Sequence, residues 1–268
     1  MTWLIMNSSI GMEEVKDVIR LRNLWLYWGW LDIRQRYRRS FFGPLWVTMT
    51  MAISIVATGL VYAYLFKQNV AVYLPYVATG FVTWSLISGF ICEVCSVFIT
   101  NEGFISQLSL PILLYPLRLM WRYLIMFFHH MVVLGVVLFL FSPITISAML
   151  AAILGLFIVC VNLIWMGVIL ALISLRLRDL PILTNTIFQV MFLITPVIWP
   201  ASALGDRMWI VMWNPFYHLL EAIRTPLLEG VTVSWCHHLF VVSIMALLGL
   251  VAAFMLLSAW KRRVVFWL

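Results

Sequence analysis

The chain has 268 residues, 65% of them hydrophobic and 10% charged, with a net charge of +7 at neutral pH. A water-soluble domain of that composition would leave large apolar patches in solvent, so the soluble globular classes are excluded. The basic charge points first to nucleic acid, and its distribution along the chain removes that class.

Glu13 and Glu14 follow a short apolar start that no basic segment precedes. No secretory signal peptide is therefore expected, and the first true span serves as its own insertion signal. Residues 12–40 read as one helix lying on the membrane surface. Val15, Val18, Ile19, Trp25 and Leu26 fall on one face, and Glu13, Lys16, Asp17, Arg20 and Asn23 on the other. Arg22 intrudes on the apolar face. Gly43–Pro44 then turns the chain into the first span.

Residues 44–66 carry no charged side chain and would extend about 34 Å as a helix, enough to cross about 30 Å of hydrocarbon. The same reading gives six spans: about 44–66, 72–96, 120–141, 146–173, 180–199 and 235–260. Residues 123–175 are charge-free and too long for one span, so Ser142–Pro143 is expected to break them into a hairpin. The expected fold is an all-α polytopic membrane protein with a segment 1–43 before a transmembrane domain 44–268.

An even span count places both termini on one side. That side collects fourteen Lys and Arg, and the other holds Lys67, Arg207 and Arg224. The positive-inside rule puts both termini in the cytoplasm, where the basic charge meets anionic headgroups rather than nucleic acid.

Residues 97–118 connect spans two and three on the cytoplasmic side. They are apolar but interrupted by Gly103, Pro111 and Pro116, so they cannot span. An apolar cytoplasmic segment calls for a cover. A short helix near Asn101–Leu108 would dock in a groove on a soluble partner, with Phe104 and Ile105 as anchors. A loop tucked against lipid is the plainer alternative. On the outer side, residues 200–230 are too long for a turn, and Pro200, Gly205, Pro215, Pro226 and Gly230 punctuate them. They read as re-entrant or interfacial half-helices of about two turns each. Glu221 and Arg224, three apart, can pair on one helix face.

Candidate chemistry is sparse. Glu93, His129, His130, His237 and His238 are the ionisable groups inside spans. Most sit near span ends, and adjacent histidines point about 100° apart on a helix, so no catalytic residue and no metal site is assigned. The four cysteines lie in apolar surroundings, with Cys92 and Cys95 inside a helix, and read as packing residues. Lys16, Lys67 and Lys261 follow Val, Phe and Trp, so no Gly-Lys phosphate loop exists. The chain carries no cofactor of its own, and transport driven by ATP would need a separate chain to bind it.

Span one carries Trp46, Thr50, Ser54, Thr58, Tyr62 and Phe66 at every fourth residue, and span five carries Phe188, Phe192, Thr195 and Trp199 on one face. Two readings fit these stripes. Aromatic faces and hydroxyls suit an unspecific sugar path, and small hydroxyl residues four apart also suit helix packing.

Five segments in order carry a resemblance. They are Asp32-Ile33-Arg34-Gln35-Arg36-Tyr37-Arg38-Arg39-Ser40, then Gly43-Pro44-Leu45-Trp46, then Arg176-Leu177-Arg178-Asp179-Leu180. Thr195-Pro196-Val197-Ile198-Trp199-Pro200 follows, then Asn214-Pro215-Phe216-Tyr217-His218-Leu219-Leu220-Glu221 with Arg224 and Pro226. From about residue 24 to its end the chain resembles the permease subunits of ABC-2 type exporters of polysaccharides such as O-antigen and capsule. The resemblance implies a homodimer in the bacterial inner membrane, paired with two copies of a separate ATPase that holds ATP and Mg. It implies an interface helix at 12–40, a coupling helix using Asn101, Glu102, Phe104 and Ile105, and outer half-helices at 200–230. It implies an aromatic-lined path for a lipid-linked glycan, here Trp46, Thr50, Tyr62, Phe66, Phe188, Phe192 and Trp199. Arg34, Arg36, Arg38 and Arg39 suit lipid phosphate or headgroup contact, or positive-inside anchoring alone. An ABC-2 exporter of a small drug or lipid, and a membrane transferase working through Glu93, His129 or Asp179, remain as other readings.

Overall fold

Every regular element among the described residues is helical. The computed structural model describes residues 2–38, 42–43, 45–142 and 144–268. Arg39, and Pro44 and Pro143 of the two expected turns, lie outside the described residues.

The chain begins with α1 (Thr2–Arg20) and α2 (Arg22–Arg36), followed by α3 (Leu45–Leu65) and α4 (Val70–Val94). Two short helices, α5 (Val97–Thr100) and α6 (Glu102–Gln107), lead to α7 (Leu114–Phe141), α8 (Ile146–Arg176) and α9 (Leu180–Ile194). A 3-10 turn (Ala201–Arg207) and α10 (Trp209–Met212) precede α11 (Pro215–Glu229), α12 (Val233–Trp260) and α13 (Val264–Trp267). Side-chain caps fix several starts. Asn69, Thr145, Asn214 and Thr232 each accept a bond from a backbone N–H in the first turn of α4, α8, α11 and α12.

Five of these helices, α3, α4, α7, α8 and α12, are long and apolar enough to cross a membrane, and α9 is a shorter apolar one. The expected fifth span, 180–199, is a helix of only 15 residues, about 22 Å long. It stops because Pro196 pushes Thr195 out of helical geometry, to φ −80° and ψ 133°. Residues 195–199 continue as an irregular turn. The third span starts six residues earlier than expected, because Pro116 falls in the first helical turn, where a missing N–H costs nothing. The expected single surface helix over 12–40 is instead α1 and α2, parted at Leu21. They have different hosts: α1 packs on α12 and α2 on α7.

Contacts at helix ends give the bundle two poles. At one pole, Glu14 of α1 pairs with Lys261 after α12 (2.8 Å), Asp32 of α2 with Arg118 of α7 (2.5 Å), and Arg176 of α8 lies over the Trp267 ring. The terminal helices α1, α2 and α13 meet at this pole, together with α5 and α6. Glu14 is 1% exposed there because Lys261 and the Leu113 N–H meet its carboxylate. The opposite pole holds the starts of α4, α8 and α12, the end of α9, and α11.

α11 is longer than the expected two turns. It takes Pro226 inside itself and is buried from Tyr217 through Leu227. It packs on α8, α12 and α4. Its backbone comes so near α8 that a Cβ at Gly155 would lie 2.1 Å from the Ala222 carbonyl oxygen. The turn after α9 is just as close to α4, where a Cβ at Gly80 would lie 2.4 Å from the Val197 oxygen.

Candidate functional site

Apolar sequence around residue 84 makes α4 the central helix, in contact with α3, α7, α8, α9 and α11. Its aromatic residues meet those of α9 and α11. The Phe188 ring is 5.0 Å from Phe216 and 6.0 Å from Trp84, and Phe192 is 5.8 Å from Phe81 and 6.1 Å from Trp84. These are the tilted and edge-on arrangements that aromatic quadrupoles prefer. Between α4 and α9 they leave a groove of about 440 Å³, edged by Ser88, Asn185 and Gln189. Aromatic faces and amide and hydroxyl groups thus line one surface.

At the pole away from the termini, the irregular turn 195–199 is tied down by four side chains. The Tyr73 hydroxyl donates to the Ile198 carbonyl (2.6 Å), and Tyr76 donates to Trp199 (2.9 Å). Arg224 donates to the Pro196 carbonyl (2.7 Å), and Asn214 to the Thr195 hydroxyl (2.8 Å). Backbone groups freed by Pro196 are thereby satisfied inside protein, as an irregular segment at membrane depth requires. Arg224 is 1% exposed, lies 4.0 Å from the Tyr76 ring centroid, and ion-pairs with Glu221, as the i,i+3 spacing predicts. α11 is not a spanning helix, and its charges respond to each other. Burial, the largest influence on Glu221, would raise its carboxyl pKa, but Arg224 and the Thr225 hydroxyl hold it below the ordinary range. Burial pushes His218 down, so its ring is neutral.

The terminal pole carries a separate polar network. Arg118 bonds both oxygens of Asp32, and Glu93 takes an ion pair from Arg122 and a bond from the Tyr123 hydroxyl (2.7 Å). Both Glu93 oxygens are thus engaged by neighbours in α7. α6 leaves Glu102 and Phe104 exposed, Phe104 by 52%, with its ring 5.9 Å from Trp28. Ile105, expected as a second docking anchor, is 8% exposed and belongs to the core. Asn101 is turned back onto the Val97 carbonyl. Arg34, Arg36 and Arg38 are all exposed.

The expected path residues separate into groups. Phe188 and Phe192 line the groove. Tyr62 and Phe66 join Tyr73 in a ring chain toward the turn that holds Trp199, whose indole donates to the Leu193 carbonyl. Trp46 stacks on Phe42, and Thr50 bonds to the Val47 carbonyl, on a helix α3 that leaves most of its surface open. Ser54 likewise bonds to its own helix, at the Thr50 carbonyl. The sequence reading missed Tyr73, Tyr76, Phe81 and Trp84. Their signal was present as four aromatics within twelve residues of one span. It also missed the exposure of Cys236 and the Asp32–Arg118 pair.

Residues 24–228 match the ABC-2 type transporter family. The O-antigen export system permease protein RfbA of Myxococcus xanthus is 25% identical over 226 residues, 78% of this chain and 82% of its own length. The protein of the same name from Klebsiella pneumoniae is 21% identical over 209 residues, 75% of this chain and 78% of its own. The match takes in the central helix, the groove and the buried ion pair of α11, and on that extent the chain belongs to the ABC-2 type transporter family.

Proposed function

We propose that the chain is the membrane subunit of an ATP-driven exporter that moves a lipid-linked polysaccharide, of O-antigen or capsule type, across the bacterial inner membrane. ATP and Mg are held by two copies of a separate ATPase chain. Two copies of this chain form the conduit, with both termini cytoplasmic and the α11 pole outward. The segment 1–43 serves as the surface part and 44–268 as the transmembrane domain.

The observation that carries this reading is the α4–α9 groove, where Trp84, Phe188 and Phe192 face Ser88, Asn185 and Gln189. Aromatic faces pack on the apolar faces of sugar rings, while amides and hydroxyls exchange hydrogen bonds along a moving polymer. The exposed apolar surface of α3 and α9 supports a second copy beside the first. The basic residues gathered at the terminal pole support its cytoplasmic placement. The names of the two relatives support the glycan.

The test is gene deletion, with cytoplasmic and surface glycans separated on gels. The expected result is lipid-linked polymer trapped inside. Normal surface glycan with no internal pool overturns the reading. Within the path, replacing Phe192 and Trp199 together with alanine should lower surface glycan several-fold at normal protein level. Wild-type surface glycan in that variant would assign both rings to packing.

A further inference from the structure

A second cavity, of about 230 Å³, lies at the outer pole. α11 supplies Tyr217, Glu221 and Glu229, α12 supplies Ser234 and His238, and the 3-10 turn supplies Ser202. Two of these walls are almost fully buried yet keep a polar atom unused. Tyr217 is 4% exposed, and among the described residues its hydroxyl has no hydrogen-bond partner. His238 is 2% exposed, and its state follows from its neighbour. His218 Nε2 lies 2.8 Å from the Met212 carbonyl, which can only accept, so that nitrogen carries the proton. Neutral His218 then offers a bare Nδ1, and His238 Nδ1, 2.8 Å away, donates to it. His238 Nε2 is left as an acceptor with no partner among the described residues.

Arg224 and Thr225 complete the polar lining, with their donors turned to Glu221 and the Pro196 carbonyl. Arg224 cancels the charge of Glu221, whereas Glu229 is exposed and has no ion pair among the described residues. His238 Nε2 and the Glu229 carboxylate therefore offer acceptors, the Ser202, Ser234 and Tyr217 hydroxyls can donate or accept, and the net charge of the lining is negative. The matching ligand donates several hydrogen bonds and carries no anionic group. The volume is below the 300–1,000 Å³ or so typical of drug-sized pockets, which suits one ring rather than several.

We infer that this cavity binds a single neutral or amino sugar ring of the glycan as it reaches the outer face. The inference rests on the glycan-export reading and adds a site and a charge preference to it. A receiving site there would hold each emerging unit beside the turn 195–199 and oppose its return.

The test is saturation-transfer NMR on the full chain in lipid nanodiscs, with D-mannose, D-galactose, D-glucosamine and D-glucuronate as probes. Transfer to at least one neutral or amino sugar is expected, and none to glucuronate. Ser234→Trp fills the cavity from an exposed position, and should cut the transfer at least about fivefold. Tyr217→Phe removes one hydroxyl only, and should weaken binding by about two- to tenfold, the range of one net hydrogen bond. Phe192→Ala, in the groove, controls for sugar held there. Absence of transfer from every sugar, or transfer unchanged by Ser234→Trp, overturns the inference and leaves a water-filled cavity. If glycan is trapped on deletion but no sugar binds here, this inference fails alone. If sugars bind here but deletion leaves surface glycan normal, the export reading fails and the binding site remains.

Discussion

Replacing Arg224 with leucine should cost about 3–5 kcal/mol of stability, the range seen when one partner of a buried ion pair is removed. Whole domains are commonly stable by only about 5–15 kcal/mol, so this change alone removes a large share of that margin. The cost has three sources. The Glu221 carboxylate stays buried with only the Thr225 hydroxyl to meet it. The Pro196 carbonyl loses its charged donor, and the Tyr76 ring loses the cation above it. Thermal unfolding in detergent, followed by size exclusion, would read the effect. The double variant Glu221→Leu with Arg224→Leu should recover a large part of the loss, because no lone charge remains. A single variant as stable as wild type would mean that the turn 195–199 holds itself without the pair.

Phe104→Asp should abolish assembly with the proposed ATPase partner while the permease still inserts and folds. Phe104 is half exposed at the tip of α6, so its removal leaves no cavity in the core. If it anchors the partner, loss of the ring should cost at least about 2 kcal/mol of binding, or roughly thirtyfold in affinity. An added carboxylate inside a docked, apolar contact raises that cost further. Co-purification of the two chains from membranes is the measurement. Unchanged recovery of the ATPase would remove α6 as its docking element. Ile105 would be a poor probe for the same question, since it is buried and its replacement disturbs the fold first.

The spans were legible because lipid imposes a simple demand. A charge-free run such as 123–175 has few alternatives to paired membrane helices. Boundaries were less legible wherever proline stood near an end. Pro116 was read as a breaker but sits in a tolerated first turn, and Pro196 ended a span expected to reach residue 199. Pro226 was read as punctuation and lies inside α11. The Glu221–Arg224 pair was visible because helical spacing is local. Its ties to Tyr76 and Pro196 were not, since those residues stand 148 and 28 positions from Arg224 in sequence. The burial of Glu14 was hidden for the same reason, because its partner Lys261 comes from the far end of the chain.

That last pairing bears on how the protein is made. Glu14 is synthesised 247 residues before Lys261. At about 5–20 residues per second, α1 therefore waits roughly 12–50 s for the helix that will receive it. Over that interval the side of α1 bearing Val15 and Val18 lacks its α12 neighbour, and Leu113, Leu117 and Trp165 of the earlier segments are there to meet it. Docking of α1 on α12 therefore waits until α12 has been made. It ties α1 to α12 through an ion pair whose carboxylate is shut away from water.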